Sequence, residues 1–298
     1  IFLLDIADWN NIRWFECMES LSKIVGKQNV HFAIRQHVKG RSMAFNETDP
    51  DSKPFSEFGE VLNYEEAKKH GYNMIKVLRY AVRSDLAESI EKVLIDTQQN
   101  QRKHSDEKDH NVLPDLVTTS DIPDRVLIDR PGDVVHFFPT TWGKDNMSSL
   151  RCAVSRAIQA VGREANLTVF TDFSSFGAGD ESGRSEIHDS YPIGLLHYKI
   201  VVVAQRDFHE GHFRLMEALI GGALVMTDPM HPLPYMLEDG KSVVVYTSLE
   251  DLKAKIRYFL EHEEERLAIA GRGFEVASTH HRTWHFMERL VFGRWSYF

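Results

Sequence analysis

The chain has 298 residues, of which 42% are hydrophobic and 27% are charged, and its formal net charge is -9. This composition is typical of a soluble globular protein, and the length favours two domains of about 150 residues each. The negative charge excludes a general nucleic-acid binder, which needs a basic surface to displace counterions from phosphates.

The cysteines and the apolar runs bear on the compartment. Cys17 and Cys152 lie far apart and predict neither a disulfide framework nor a zinc site, so we expect a reducing, cytoplasmic location. No run approaches the roughly 18 apolar residues of a membrane span, so no transmembrane segment is predicted. The chain begins at Ile1 inside an apolar run, and we expect a trimmed start that leaves room for a lost targeting segment.

The first half of the chain has a mixed pattern that fits alternating strands and helices. The pattern predicts strands at 1–6 and 29–34, a helix at 14–24, and helix mixed with a short strand (75–80) at 64–96. Residues 45–58 are rich in Pro, Asp, Ser and Glu and predict a loop. The polar stretch 98–123 predicts a longer loop.

The second half alternates more regularly. Apolar runs predict strands at 134–138, 167–171, 200–204, 223–227 and 242–246, and helices at 146–161, 211–220 and 263–292. Ser248 and Asp251 resemble a capping box that opens another helix, whose apolar stripe is Leu252, Ile256 and Phe259. Continuous apolar strands between helices predict a parallel sheet covered on both faces, as in a Rossmann-like domain.

The Pro-Gly step in IDRPGD, residues 128–133, is typical of a hinge. We place the domain boundary there. We expect residues 1–131 to form an N-terminal α/β domain that is truncated at its start, and residues 132–298 to form a C-terminal Rossmann-like domain.

The stretch HEGHFRLMEALIGGALVMTD carries charges inside a segment that otherwise predicts core. Spacings of four, three and four place four residues on one helix face: Glu210, Arg214, Glu217 and Gly221. One interpretation is a solvated stripe, in which Arg214 and Glu217 form an ion pair that stabilises the helix by a few tenths of a kcal/mol. The other is a cleft at the carboxyl end of a parallel sheet. There Gly211 would admit phosphate to the helix N-terminus, Arg214 would contact it, and Glu217 would accept from ribose hydroxyls.

A second candidate is HFFPTTWGKDN, residues 136–146, where a buried strand ends in a loop that leads into a helix. Backbone N–H groups of such a loop can hold a phosphate, and Thr140 and Thr141 add hydroxyl donors. Pro-Thr-Thr turns are also common caps, which leaves a purely structural role open.

The segment 210–227 resembles the donor-nucleotide segment of GT-B fold glycosyltransferases. The resemblance lies in the order of its features: an acidic residue and Gly, an Arg, Glu-Ala-Leu, a Gly pair and a buried strand. The nearest branch is the group-one and spore-protein-like (CgeB-like) one. DPMHPLPYMLEDGKSVVVY and residues 249–290 are similar to that family too, so the resemblance covers about half of the chain, from residue 133. It implies two Rossmann-like domains with parallel sheets, facing each other across a cleft. The nucleotide-sugar donor would bind the second domain, and the first domain would be the acceptor side.

The resemblance also implies roles for single residues. Glu217 matches the residue that binds the ribose, Arg214 matches a basic residue near the diphosphate, and the Thr140–Thr141 loop approaches the donor. The group-one pattern has two glutamates eight positions apart, but here His209 stands eight before Glu217 and Glu210 seven before. His209 and Glu210 are therefore both candidates for meeting the donor sugar. The weak candidates for a base in the first domain are Asp5, Asp8 and His37.

The predicted function is a metal-independent glycosyltransferase of hexosyltransferase type, using a UDP or GDP sugar, an unknown glycan, protein or small-molecule acceptor, and no cofactor. Asp49-Pro50-Asp51 imitates the Asp-x-Asp of metal-dependent transferases but lies in a predicted loop, and no His cluster has zinc spacing. Two alternatives keep the fold: a nucleotide-sugar epimerase and a non-catalytic nucleotide-sugar-binding protein. A third is an interaction module that uses the loop 98–123 and the aromatic C-terminus.

Overall fold

The computed structural model describes the chain in segments. The described residues are 20, 22–24, 26, 31–34, 73–76, 84–105, 122–123, 126–138, 149–171, 190–205, 213–230 and 233–292. The predictions for the strand at 1–6, the loop at 45–58 and most of the helix at 14–24 lie outside them.

The described strands are β1 His31–Ile34, β2 Asn73–Lys76, β3 Gly132–Val135, β4 Val169–Phe170, β5 Tyr198–Val203, β6 Leu224–Thr227 and β7 Val244–Val245. The described helices are α1 Ser84–Ser105, α2 Ser149–Ala165, α3 Ser190–His197, α4 Arg214–Ile220, α5 Leu249–Glu261, α6 Glu263–His280 and α7 Thr283–Val291.

The strands form two parallel sheets. β1 pairs with β2, and the other five strands follow the order β4-β3-β5-β6-β7. The predicted α/β class with a parallel sheet is confirmed.

The order of the five-stranded sheet reverses between β3 and β5, because the chain places β4 on one side of β3 and then returns to add β5 on the other. Open parallel sheets bind ligands beyond the carboxyl ends of their strands at such a switch point. The residues that follow these two strands, 136–138 and 204–205, therefore mark the place where a ligand site is expected.

Two apolar layers cover the five-stranded sheet. Successive strand residues point to opposite faces, so Val201 packs in the layer under α3 and α4, whereas Val202 packs in the layer with α2 and α5. Both faces of the sheet are buried, as the continuous apolar strands predicted.

Helix α1 corrects the prediction of a loop from residue 98, because it continues to Ser105. Its buried residues join the layer under α3 and α4: Leu86, Ala87, Ile90 and Leu94. With this end of the helix anchored, the Gln, Arg and Lys residues that follow have good helix propensity and continue it. Polarity alone had indicated a loop there. The domain boundary at 131/132 stays a prediction, although α1 packs on helices of the second half.

The capping box is confirmed with one change of partner. Ser248 is the N-cap of α5, and its Oγ accepts from the Asp251 backbone N–H at 3.0 Å, while the Asp251 carboxylate accepts from the Thr247 backbone N–H at 2.8 Å. The predicted helix at 263–292 is divided because Arg282 adopts extended backbone between α6 and α7. Helix α3 was not predicted at all.

Candidate functional site

Buried and partly buried polar side chains gather at the carboxyl edge of the five-stranded sheet, around the switch point. They follow β3 or lie in the first turns of α2, α3 and α4: His136, Arg151, Tyr191, Arg214 and Glu217. Helices that connect parallel strands run back from the carboxyl edge, so their first turns begin there. The edge therefore combines residues that are far apart in the sequence.

Arg214 is the first residue of α4, and only 6% of it is exposed. Its Nη1 donates to the Phe137 carbonyl at 2.9 Å, and its guanidinium lies 4.6 Å from the ring centroid of Phe138. Burial lowers the pKa of Arg214 from its ordinary value, and Tyr191 and Glu217 oppose that shift. The end of β3 thus holds a cation among a carbonyl, aromatic rings and an acidic neighbour.

Glu217 lies one turn further along α4 and is only 3% exposed. Its Oε2 accepts a hydrogen bond of 2.7 Å from the hydroxyl of Tyr191. Burial and the charge of Glu217 raise the pKa of Tyr191 well above its ordinary value, so the hydroxyl stays a donor. The solvated-stripe interpretation is wrong, because every residue of α4 is buried. The helix also begins at Arg214, three residues later than predicted.

Arg151, in the first turn of α2, was missed from the sequence. Its Nε donates to the carbonyl of Ala204, just beyond β5, at 3.1 Å, and its guanidinium lies 4.1 Å from the ring centroid of Phe138. The guanidinium groups of Arg151 and Arg214 therefore both contact one aromatic ring, an arrangement that favours each cation by a cation–π interaction. The available signal was a charged residue beside the apolar positions Leu150, Val154 and Ile158 of a predicted helix.

His136 follows β3 directly and is fully buried. Its Nδ1 lies 2.7 Å from the Val202 carbonyl, which only accepts, so Nδ1 carries the proton and donates. Burial, with the charges of Arg151 and Arg214, lowers the pKa of His136 to about 3. The ring is therefore neutral at neutral pH and links β3 to β5.

Asp228 fixes the neighbouring strand ends. It is fully buried after β6, and its Oδ1 accepts from the Gln205 backbone N–H, beyond β5, at 2.9 Å. This bond ties the carboxyl ends of β5 and β6 together. The edge is thus built on a backbone that buried hydrogen bonds hold in place.

Of the predicted site, the structure brings Arg214 and Glu217 together at the switch point. The other predicted residues lie outside the described residues: Thr140, Thr141, His209, Glu210, Gly211, Asp5, Asp8 and His37. Five of these residues belong to the segments 139–148 and 206–212, which follow Phe138 and Gln205 in the sequence.

Metal binding and membrane insertion both require recognisable features in the described segments. Within these segments, no group of three or more His, Cys, Asp and Glu side chains is arranged to hold a metal ion. No helix described in the chain combines the length and the apolar character needed to cross a bilayer.

Residues 158–291 match a protein family described as glycosyl transferase-like. The matched region runs from α2 to the end of α7 and includes Tyr191, Arg214 and Glu217, whereas His136 and Arg151 precede it. No curated protein sequence matches the chain.

Several solved structures are distantly similar. HepE of Anabaena in complex with UDP-glucose is 12% identical, with a TM-score of 0.47, covering 99% of this chain and 78% of that chain. TarM is 13% identical, with a TM-score of 0.44, covering 97% and 54%. The pneumococcal O-GlcNAc transferase GtfA, in complex with UDP and GlcNAc, is 16% identical, with a TM-score of 0.39, covering 91% and 53%. The chain spans a little over half of TarM, of GtfA and of the HepE chain solved with UDP and glucose, at 54%, 53% and 57%.

Proposed function

We propose that the chain is a GT-B glycosyltransferase, which moves a sugar from a nucleotide-diphosphate donor to an acceptor. The donor binds to residues 132–298, in a cleft that faces residues 1–131. The observation that carries the proposal is that Arg214 and Glu217 both lie at the switch point of a parallel sheet, Arg214 bonded to the Phe137 carbonyl and Glu217 to Tyr191. The match of residues 158–291 to a glycosyl transferase-like family supports the reaction class.

Arg214 is suited to the diphosphate. A guanidinium has five N–H donors in a planar fork that matches phosphate oxygens, so its bond to the Phe137 carbonyl is compatible with an anion contact. When the sugar leaves, negative charge builds up on the diphosphate, and a fixed cation at a buried edge stabilises that charge strongly. Arg151, against the same ring of Phe138, adds a second positive charge to the field.

Glu217 is suited to the ribose. An ionised carboxylate has roughly four acceptor positions, and the hydroxyl of Tyr191 uses one of them. Two ribose hydroxyls could donate to the same carboxylate through charge-assisted hydrogen bonds. Both Glu217 and Arg214 are nearly buried, so neighbouring groups must move aside before a ligand reaches them, and we expect association below the diffusion limit.

The finer parts of the proposal follow the sequence resemblance. Thr140 and Thr141 add donors to the diphosphate, and His209 or Glu210 meets the donor sugar. The transferase works without a metal ion or a further cofactor. Transfer that is unchanged by a chelator such as EDTA would support metal independence, and transfer that requires added Mg²⁺ or Mn²⁺ would contradict it.

The site assignment is tested by binding. UDP and GDP are titrated by calorimetry into the wild type, Glu217→Ala and Arg214→Ala, with circular dichroism to verify folding. Loss of a charge-assisted hydrogen bond should weaken binding about 10- to 100-fold in each variant. Arg257→Ala, which changes an exposed arginine of α5, serves as the control and should bind as the wild type. Unchanged affinity in both site variants would sink the assignment.

Turnover is tested separately, with a panel of UDP and GDP sugars and simple glycan, peptide and small-molecule acceptors. Release of the free nucleotide together with a new glycoside is the expected result. Nucleotide binding with no transfer and no hydrolysis across the panel would instead favour a non-catalytic nucleotide-sugar-binding protein.

A further inference from the structure

Tyr191 contacts both residues that the proposed function uses. It is partly buried near the start of α3, and its hydroxyl donates to Glu217 Oε2 at 2.7 Å. Its ring meets the Phe137 ring edge-on, with centroids 5.2 Å apart, and the Arg214 guanidinium lies 5.8 Å from its centroid. One side chain thus joins α3, α4 and the end of β3.

The position of Tyr191 is fixed by its own helix. Pro192 follows it in the first turn of α3, where a proline fixes the backbone without removing a helical hydrogen bond. At the other end, α3 passes into β5 without a loop, and Arg130 donates to the carbonyls of Leu195 and Leu196. Because the C-terminal end of the helix is held and Pro192 restricts the backbone of its first turn, the hydroxyl of Tyr191 has a defined place relative to the sheet.

The hydroxyl is a permanent donor. Burial and the carboxylate of Glu217 raise its pKa well above the ordinary tyrosine value, so it keeps its proton at any pH at which the protein would work. A carboxylate in contact with a fixed donor loses rotational freedom, so its two oxygens face a defined direction.

We propose that Tyr191 is a positioning residue, which holds the carboxylate of Glu217 in the orientation that receives the two ribose hydroxyls of the nucleotide. This inference rests on the proposed function. It predicts that Tyr191 contributes to nucleotide affinity only through the ribose hydroxyls and only while Glu217 is present. It makes no direct contact with the reacting atoms.

The test compares the wild type with Tyr191→Phe, which keeps the ring and removes the hydroxyl. Affinity is measured by calorimetry for UDP, GDP and their 2′,3′-dideoxy forms. We expect Tyr191→Phe to bind the ribonucleotide about fivefold to tenfold more weakly and the dideoxy form as the wild type does. Tyr258→Phe is the matched control, because the Tyr258 hydroxyl also donates to a glutamate, Glu265, at 2.7 Å, on the exposed surface of α5. It should change neither affinity.

A second measurement separates a positioning role from a general structural one. In a Glu217→Ala background, Tyr191→Phe should weaken ribonucleotide binding no further, because the two residues act as one unit. The inference would be overturned if Tyr191→Phe weakened ribonucleotide binding as much in the Glu217→Ala background as in the wild type. It would also be overturned if Tyr191→Phe weakened binding of the dideoxy form as much as that of the ribonucleotide. Wild-type affinity in Tyr191→Phe when Glu217→Ala is weakened would overturn it too, and that result would leave the proposed function standing. Wild-type affinity in Glu217→Ala would overturn the inference together with the ribose role of Glu217, and wild-type affinity in Arg214→Ala as well would overturn the proposed site.

Discussion

Arg130 and Arg214 are both buried arginines, and they lie at opposite edges of the same five-stranded sheet. Arg130 is 4% exposed and sits at the amino edge. Among the described residues, its guanidinium donates only to backbone carbonyls: those of Leu195, Leu196, Tyr198 and Gly221. Arg214, at the carboxyl edge, donates to the carbonyl of Phe137, lies against the ring of Phe138 and interacts electrostatically with Tyr191 and Glu217.

The difference shows that burial of a charge does not by itself identify a binding site. Arg130 satisfies carbonyls at the ends of α3 and α4, which a cation near a helix C-terminus does well, so its role is to hold the fold. Arg214 belongs to a set of side chains at the switch point, where parallel sheets bind ligands. The kind of partner and the edge of the sheet distinguish the structural role of Arg130 from the binding role proposed for Arg214.

The largest effect is expected from Arg130→Met. Removing the guanidinium leaves the four carbonyls without a shared donor, and we expect the free energy of unfolding to fall by about 4 kcal/mol. Urea denaturation measures this loss. Arg272→Met removes an exposed arginine of α6 and should lose about 0.5 kcal/mol or less. A loss below about 1 kcal/mol in Arg130→Met would show that Arg130 does not hold the fold.

The next effect concerns His136 at the carboxyl edge. Its folded-state pKa of about 3 lies below the ordinary value of 6.5, so the unfolded chain binds more protons between these values. Stability therefore falls as the pH falls from 6.5 towards 3, by about 2 kcal/mol between pH 7 and pH 5. Asn at this position retains a donor for the Val202 carbonyl but does not titrate.

In denaturation experiments between pH 7 and pH 5, the free energy of unfolding of His136→Asn should therefore fall by about 2 kcal/mol less than that of the wild type. His262→Asn is the control, because the Nδ1 of His262 also lies 2.7 Å from a carbonyl, that of Tyr258, but at an exposed position. An unchanged pH dependence in His136→Asn would show that the buried imidazole does not resist protonation.

The smallest effect is expected from Ser248→Ala, at the carboxyl edge but beside β7, away from the switch point. Loss of this N-cap should lower the free energy of unfolding by about 1 kcal/mol, and Ser248→Asp should restore it. Affinity for UDP and GDP should not change in either variant. Weaker nucleotide binding would mean that the whole edge, rather than the switch point, forms the site.

The features that depend on residues close together in the sequence could be predicted from it. The apolar strands, the N-cap Ser248 and the stripe of α5 follow from periodicity and capping, and the structure confirms them. The spacing of Arg214 and Glu217 correctly put both on one helix, but spacing does not tell whether that face meets water or other side chains. Here it is buried, because it contacts Phe137 after β3 and Tyr191 of α3.

Tyr191 and Arg151 were not predicted because their roles depend on strand order. β5 lies next to β3, which brings Arg214 to the carbonyl of Phe137 across 77 positions of sequence. No local pattern in a single sequence specifies that neighbour. Helix α3 is short and has a proline in its first turn, so its periodicity was too brief to predict it.

The central claim is that the carboxyl edge binds a nucleotide and the amino edge holds the fold. The most direct test measures calorimetric affinity for UDP and GDP in the double variant Arg214→Met, Glu217→Gln beside Arg130→Met. The double variant removes both buried charges together, which avoids leaving one unpaired. We predict that it folds but binds at least about 100-fold more weakly, whereas folded Arg130→Met binds as the wild type does. Wild-type affinity in the folded double variant would contradict the account.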